Sequence, residues 1–229
     1  MPTADAGAPT LGAVNSSRAR TAHLVVAVVT GGALLLQLVL VIQGGAVLVE
    51  EDPPGLGARL GRFVLYFTVQ CNALVALSAA TLALDPHRDG PGWRALRLAA
   101  LVGITITAVV HFVLLRPLLD LDGLDLIADA LLHRVVPLLA VGTWLIWGPR
   151  PRIDGRAIGL ALLWPIAWLA LTFVVRGLTG WVPYPFLDPD EDGWGAVAVA
   201  CVGITVLFLA VCAGAYALDR RMRPAPTAG

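Results

Sequence analysis

Six apolar stretches take up most of this chain, and each is about as long as a helix that crosses a lipid bilayer. They are residues 24–49, 63–84, 96–115, 126–147, 157–175 and 195–218. A helix rises about 1.5 Å per residue, so roughly 20 apolar residues cross a hydrocarbon core of about 30 Å. The pattern predicts an all-α integral membrane bundle of six spans, because no stretch is long enough to cross twice.

The basic residues are distributed unevenly between the two sides of such a bundle. All sixteen are arginines, and five of them would share one side: Arg59, Arg62, Arg116, Arg134 and Arg176. The other eleven would share the opposite side: Arg18, Arg20, Arg88, Arg94, Arg97, Arg150, Arg152, Arg156, Arg220, Arg221 and Arg223. Cytoplasmic loops are enriched in arginine and lysine, so both termini are predicted to be cytoplasmic, in a bacterial inner membrane.

The composition limits the domain organisation and the class of partner. Hydrophobic residues make up 58% of the chain and the net charge is +0, which excludes a basic nucleic-acid-binding protein and favours membrane lipids as partners. We expect a disordered cytoplasmic N-terminus (1–22), one transmembrane domain (23–219) and a cytoplasmic tail (220–229). Nothing in the sequence indicates the oligomeric state.

Motifs of soluble enzymes are absent from the sequence. It contains no G-x-S-x-G, no Walker loop and no H-E-x-x-H, and its four histidines have no ligand-like spacing, so we expect neither a cofactor nor a metal. Cys71, Cys201 and Cys212 all lie inside predicted spans, which favours packing roles over disulfides. The polar residues within the spans are therefore the functional candidates.

Three of these polar residues lie at one depth on different spans. Measured from the cytoplasmic ends, Thr68, His111 and His133 lie about 24, 22 and 21 Å up the second, third and fourth spans. Asn72 follows one turn deeper than Thr68, and Asp129 one turn above His133. The spacing predicts a polar layer a few ångströms beneath the outer boundary of the hydrocarbon core.

This layer holds the residue types of a nucleophilic hydrolase. A threonine hydroxyl attacks only when a base accepts its proton, and histidine suits that exchange near neutral pH. Asp129 would orient His133, while Asn72, His111 or a backbone amide would stabilise the oxyanion. Both residues could instead have structural roles. Thr68 would then bond to its own i−4 carbonyl or pack at a helix crossing, and Asp129 would lie in a first helical turn, where the helix dipole favours an acid.

Three short segments resemble a known family. Residues 66–72 (YFTVQCN), 131–138 (LLHRVVPL) and 181–188 (WVPYPFLD) resemble a bacterial six-transmembrane family related to the androgen-induced-gene and androgen-dependent TFPI-regulating proteins. Those proteins are membrane threonine hydrolases that cleave fatty acid esters of hydroxy fatty acids. The resemblance implies an acyl-lipid substrate, with Thr68 as the nucleophile and His133 as the catalytic histidine.

Further residues near the outer face are candidates for substrate binding. The predicted outer ends of the third, fourth and fifth spans carry Arg116, Arg134 and Arg176, respectively. We expect these arginines to hold a lipid carboxylate. Arginines that snorkel to the interface, or that pair with Asp120 and Asp122, are the structural alternative.

The segment 177–188 is rich in proline and glycine. Its Trp181 and Tyr184 predict an aromatic interfacial loop that folds over the bundle and contacts substrate.

Two other functions remain open from the sequence. A small-molecule or proton-linked transporter would use His111, His133 and Asp129 as a relay, although no internal repeat or matched pair of broken helices is evident. A non-catalytic membrane scaffold would not require Thr68 to meet His133.

Overall fold

A computed structural model describes residues 11–44 and 54–222, and every regular element in those ranges is helical, as predicted. The helices are α1 (Leu11–Gln43), α2 (Leu56–Leu65), α3 (Phe67–Leu84), α4 (Pro91–Val110), α5 (Gly123–Ala130), α6 (Val136–Trp147), α7 (Gly155–Thr179) and α8 (Pro189–Arg221). A π-helical turn (His111–Leu115) and a 3-10 turn (Arg116–Leu118) extend α4, and a second π-helical turn (Leu131–Val135) joins α5 to α6. A 3-10 turn (Pro185–Leu187) precedes α8.

Five helical segments are long and apolar enough to cross a membrane. They are Ser16–Gln43, Phe67–Leu84, Pro91–Leu118, Gly155–Thr179 and Pro189–Arg221. Large apolar side chains on their surfaces and on α6 are widely exposed, with Phe112 at 75%, Leu138 at 74% and Val199 at 74%. Such apolar exposure on several faces fits contact with lipid rather than water, so the chain is a multi-pass membrane protein. The predicted fourth span corresponds to the consecutive elements α5, the second π-helical turn and α6.

The ends of the first span differ from the prediction. Helix α1 begins at Leu11 rather than near residue 23, and Arg20 anchors this part of the helix by donating to the Leu84 carbonyl at 2.8 Å. Helix α1 ends at Gln43, before the predicted limit at residue 49. Residues 1–10, 45–53 and 223–229 lie outside the described part of the chain, so the remaining predicted disorder and most of the tail are not described.

The second predicted span, 63–84, is divided into two helices. Its first residues belong to α2, a short helix without buried residues that has a basic residue, Arg62, in its last turn. Only α3 crosses the bundle, and its 18 residues are sufficient for a hydrocarbon core of about 30 Å. Because α3 begins at Phe67, Thr68 lies at the N-terminal end of its span rather than deep within it.

Helix α4 occupies the centre of the bundle and packs against α3, α6, α7 and α8. Twelve of its twenty residues are buried. Small residues allow this close packing, since a Cβ at Gly103 would lie 2.9 Å from Cys71 Sγ and 3.0 Å from the Trp164 ring. All three cysteines are free, and Cys71 and Cys212 are buried among apolar side chains.

Candidate active site

Thr68 lies in the first turn of α3, directly after the break that separates α2 from α3. Tyr66 is extended (φ −61°, ψ 126°), so the helix stops at Leu65 and restarts at Phe67. The first backbone N–H groups of a helix have no partner within it, and the helix dipole adds partial positive charge there. The break therefore places the Thr68 hydroxyl in a setting that favours developing negative charge.

Side chains satisfy the backbone carbonyls that the break leaves without helical partners. Trp168 Nε1–H donates to the Leu65 carbonyl at 2.7 Å, and Gln70 Nε2–H donates to the Val64 carbonyl at 3.0 Å. Trp164 Nε1–H donates to Gln70 Oε1 at 3.0 Å and holds that amide in place. Unsatisfied backbone groups are costly in a membrane, so irregular backbone persists where protein groups take up its hydrogen bonds. The break is thus stabilised by tryptophans of α7.

The break also frees Thr68 from the hydrogen bond that most transmembrane threonines make. Six threonines of the described helices donate to the carbonyl four residues earlier: Thr21, Thr30, Thr105, Thr172, Thr179 and Thr205. The corresponding carbonyl for Thr68 is that of Val64, across the break, and Gln70 occupies it. The Thr68 hydroxyl instead faces side chains of other elements, which argues against the purely local structural role.

Both histidines of the polar layer lie in π-helical turns. His111 begins the turn after α4, and His133 is the central residue of the turn between α5 and α6. A π-helical turn inserts one residue into an α-helix and redirects its side chains, and such turns occur frequently at functional sites. Thr68, His111 and His133 are therefore all positioned by local departures from α-helical geometry.

The structure brings Thr68, His133 and Asp129 into one continuous line. Thr68 Oγ1 lies 3.3 Å from His133 Nε2, so the expected proximity of these two residues is confirmed. On the other side of the ring, His133 Nδ1 lies 3.0 Å from Asp129 Oδ1 and 3.1 Å from the Asp129 carbonyl oxygen. Two acceptors at Nδ1 favour the tautomer with the proton there, which leaves Nε2 free to accept the threonine proton.

The Asp129 carboxylate is buried among three basic groups. Its Oδ1 also lies 2.6 Å from His111 Nε2, and its Oδ2 lies 3.3 Å from Arg134 Nη2. Only 5% of the Asp129 side chain is exposed, so His133 and Arg134 replace the water that would otherwise stabilise its charge, whereas His111 Nε2 is close to the carboxylate without an aligned hydrogen bond. Asp129 lies in the last turn of α5 rather than in a first helical turn, and it links two histidines and an arginine.

The donor atoms of His111, Asp129 and His133 lie within 4.8 Å of one another, a set that suits a metal ion by composition. The ring geometry argues against it. The two imidazoles are stacked, with centroids 3.7 Å apart and planes inclined by 13°. An imidazole lone pair lies in its ring plane, so one ion cannot lie in both planes unless a ring turns. The arrangement suits proton handling better than metal binding.

Asn72 ties α3 to the π-helical turn that carries His133. Its Nδ2 donates to the Thr68 carbonyl at 2.9 Å and to the Leu132 carbonyl at 3.4 Å. The amide donor is thus directed at backbone, and Asn72 lines neither of the two cavities that reach the site. It has the position of a residue that orients Thr68 and His133, not that of an oxyanion donor.

A cavity of about 170 Å³ opens beside Thr68, and we call it the threonine cavity. Its walls include Phe67, Pro165, Trp168, Phe208 and Tyr184. These side chains are mostly apolar and aromatic, which suits an apolar ligand group.

A second cavity, of about 640 Å³, lies on the other side of the polar layer, and we call it the arginine cavity. His133, Arg116 and Arg134 line it, and His111 lines both cavities. Arg116 donates only to the nearby Leu119 carbonyl among the bonds of the described residues, rather than pairing with Asp120 or Asp122. The polar layer therefore separates two mostly apolar cavities, and arginines line only the second of them.

Two residues predicted to bind substrate lie elsewhere. Arg176 pairs with Asp190 at 2.7 Å and with Asp188 at 3.7 Å, because the first turn of α8 is acidic. It lines neither cavity, so the expected three-arginine cluster is reduced to Arg116 and Arg134. Trp181 packs edge-on against the Tyr66 ring, and the Arg62 guanidinium lies over the Trp181 ring. These contacts hold the loop between α7 and α8 in place, and Trp181 lines neither cavity.

The sequence reasoning missed the tryptophans that support the site. Trp168 and Trp164 hold the break before Thr68, and Trp168 also lines the threonine cavity. Their spacing of four residues on α7 places both on one helix face, and this spacing was the signal in the sequence that could have identified them.

Comparisons of this chain with protein-family models, with curated proteins and with solved structures find no match to any of them.

Proposed function

We propose that this protein is an intramembrane ester hydrolase with Thr68 as its nucleophile and His133 as its general base. The observation that carries the proposal is the 3.3 Å separation of Thr68 Oγ1 and His133 Nε2, with Asp129 on the opposite ring nitrogen. This is the order of groups in a nucleophile–base–acid triad. Release of fatty acid by the purified protein, compared with the Thr68→Ala variant, is the experiment that tests it.

The proposed reaction has two halves. Thr68 Oγ1 forms a bond to the ester carbonyl carbon while its proton passes to His133 Nε2, and the carbonyl π electrons move to the oxygen. Collapse of this tetrahedral adduct expels the alcohol oxygen, which takes the proton from His133 and leaves an acyl-threonine. Water then gives a proton to His133 and attacks the acyl carbon. Collapse of the second adduct breaks the bond between the acyl carbon and Thr68 Oγ1, which takes the proton back from His133 as the fatty acid is released.

The two cavities suggest the class of ester. The apolar walls of the threonine cavity suit the acyl chain, and the guanidinium groups of Arg116 and Arg134 suit a carboxylate on the alcohol part. A fatty acid ester of a hydroxy fatty acid carries both features, and it is the substrate class that the family resemblance implies. The ester bond between the two parts would lie at the polar layer.

Arg116→Gln should selectively weaken hydrolysis of an ester that carries a free carboxylate. A hydrogen bond to a charged group contributes about 1.5–3 kcal/mol, so kcat/KM for the acid should fall by about tenfold or more. The matched substrate is the methyl ester of the same compound, whose kcat/KM should hardly change. Equal losses on both substrates would remove Arg116 from carboxylate recognition.

We further propose six spans with both termini in the cytoplasm of a bacterial cell. The fourth span would consist of α5, the second π-helical turn and α6, and the polar layer would then face the outer leaflet. The eleven arginines of one side support this orientation.

Reporter fusions check the orientation. A reporter after Arg223 and one in the loop 85–93 should register as cytoplasmic, and one in the segment 188–193 as external. An internal signal from the segment 188–193 would reverse the proposed orientation and move the site to the inner leaflet.

A proton-linked transporter is the second candidate, and one observation favours it. The buried cluster of His111, Asp129 and His133 separates two cavities, as a proton-coupled gate would. Liposomes loaded with a pH-sensitive dye distinguish the two functions. A transporter would carry protons at a rate that Asp129→Asn abolishes and Thr68→Ala leaves intact, whereas the hydrolase needs Thr68.

A further inference from the structure

The outer loop between α7 and α8 reaches the nucleophile through one side chain. Tyr184 is 7% exposed, and its hydroxyl lies 3.2 Å from the Thr68 backbone nitrogen and 3.5 Å from Thr68 Oγ1. The same residue lines the threonine cavity. A residue of an external loop thus contributes a polar atom to a site formed otherwise by helices α3 to α6.

The hydroxyl proton of Tyr184 is available to form a hydrogen bond with a substrate. The Thr68 amide N–H has no helical acceptor in the first turn of α3, so it donates to the Tyr184 oxygen. That oxygen is an acceptor in this contact, which leaves its own O–H able to donate. The 3.5 Å distance to Thr68 Oγ1 is much longer than the roughly 2.7–2.8 Å of a strong O–H···O bond. The phenol is therefore near the nucleophile without being tightly bonded to it.

Packing fixes the ring in this position. The Tyr184 ring stacks on Phe186, with centroids 5.2 Å apart and planes inclined by 7°, and it meets the edge of Tyr66 at 5.8 Å. Pro183 is fully buried beside it, and Leu187 is 2% exposed. A donor that is held before the reaction needs no reorganisation when charge develops, which is the condition for effective electrostatic catalysis.

We propose that Tyr184 donates the hydrogen bond that stabilises the oxyanion formed when Thr68 attacks an ester. The inference rests on the proposed hydrolase and adds the oxyanion donor to it. When Thr68 Oγ1 bonds to the carbonyl carbon, the electron pair of the C=O π bond moves to the carbonyl oxygen. The phenol keeps its proton and donates a hydrogen bond to that oxygen, and the threonine proton goes to His133. The packed position of the loop between α7 and α8 is thereby required for catalysis.

Two further properties agree with this role. Burial raises the pKa of the Tyr184 phenol to about 12, so the group remains a protonated donor throughout the neutral range. The N-terminus of α3 adds a positive dipole on the same side of Thr68. A phenol and a helix end would together replace the paired backbone amides that many hydrolases use.

Tyr184→Phe is the test, because it keeps the ring and removes only the hydroxyl. We expect kcat to fall by roughly 10²–10³-fold with little change in KM, as for other lost oxyanion donors. The affinity for a trifluoromethyl ketone analogue of the substrate, which forms a tetrahedral adduct with Thr68, should fall by a similar factor. A residue that only braces the loop would not change these two quantities in parallel.

The controls separate this inference from the proposed function. Tyr216→Phe removes a tyrosine hydroxyl from α8 at a position that lines neither cavity, and it should keep the wild-type kcat. Unchanged kcat in Tyr184→Phe, or a lower kcat with unchanged analogue affinity, would overturn the role of Tyr184 while leaving the hydrolase intact. Full activity in Thr68→Ala would instead overturn Thr68 as the nucleophile and, with it, the proposed mechanism. If Tyr184→Phe does not fold, 3-fluorotyrosine at the same position decides, since a more acidic phenol must change the analogue affinity.

Discussion

Thr68→Ala should lower the turnover of an acyl ester by at least about 10⁴-fold and abolish labelling by a fluorophosphonate, because it removes the atom that forms the covalent intermediate. The protein should still insert into the membrane. Removing a buried hydroxyl costs about 1–3 kcal/mol, which a bundle of this size tolerates. Turnover by the purified variant, normalised to the folded fraction, is the measurement.

Two matched variants isolate the nucleophile. Thr30→Ala removes a fully buried threonine hydroxyl of α1 that donates to its own helix, and it should retain wild-type turnover. Cys71→Ala removes the thiol three residues further along α3, which is completely buried, and it should be nearly silent. Loss of activity in Cys71→Ala with full activity in Thr68→Ala would transfer the nucleophile to the cysteine.

His133→Ala should lower kcat by roughly 10²–10⁴-fold, the usual contribution of a positioned general base. The double variant Thr68→Ala/His133→Ala should be no more than about threefold less active than Thr68→Ala, because residues that act as one unit fail together. The comparison requires the three variants to be assayed with the same ester. Losses that multiply in the double variant would mean that the 3.3 Å contact does not couple the two residues in catalysis.

The sequence was sufficient for the features that depend on local chemistry. Apolar length predicted the helical membrane bundle, and the rise per residue placed Thr68, His111 and His133 at one depth. The structure places these three residues in one cluster, with Thr68 beside His133 and the two imidazoles stacked. A shared layer follows from residue counting alone because every transmembrane helix must cross the same thickness.

The features that the sequence did not reveal depend on distant contacts. The helix break at Tyr66 needs the Trp168 indole, which lies about a hundred residues later in the chain and caps the Leu65 carbonyl. No composition signal at residues 63–67 marks it, since this stretch is as apolar as a continuous span. The approach of Tyr184 to Thr68 likewise depends on how the loop between α7 and α8 packs. The spacing of apolar residues in the sequence does not encode that packing.

Mass spectrometry of the fluorophosphonate-treated protein is the most direct measurement of the central claim. The nucleophile of a serine- or threonine-type hydrolase attacks the phosphorus, expels fluoride and retains the phosphonyl group, so the modified residue is identified by the mass of its peptide. We expect the added mass on Thr68 in the wild-type protein and no labelling of Thr68 in His133→Ala. Labelling of another residue, or ester hydrolysis by a protein whose Thr68 never becomes labelled, would contradict the assignment of Thr68 as the nucleophile.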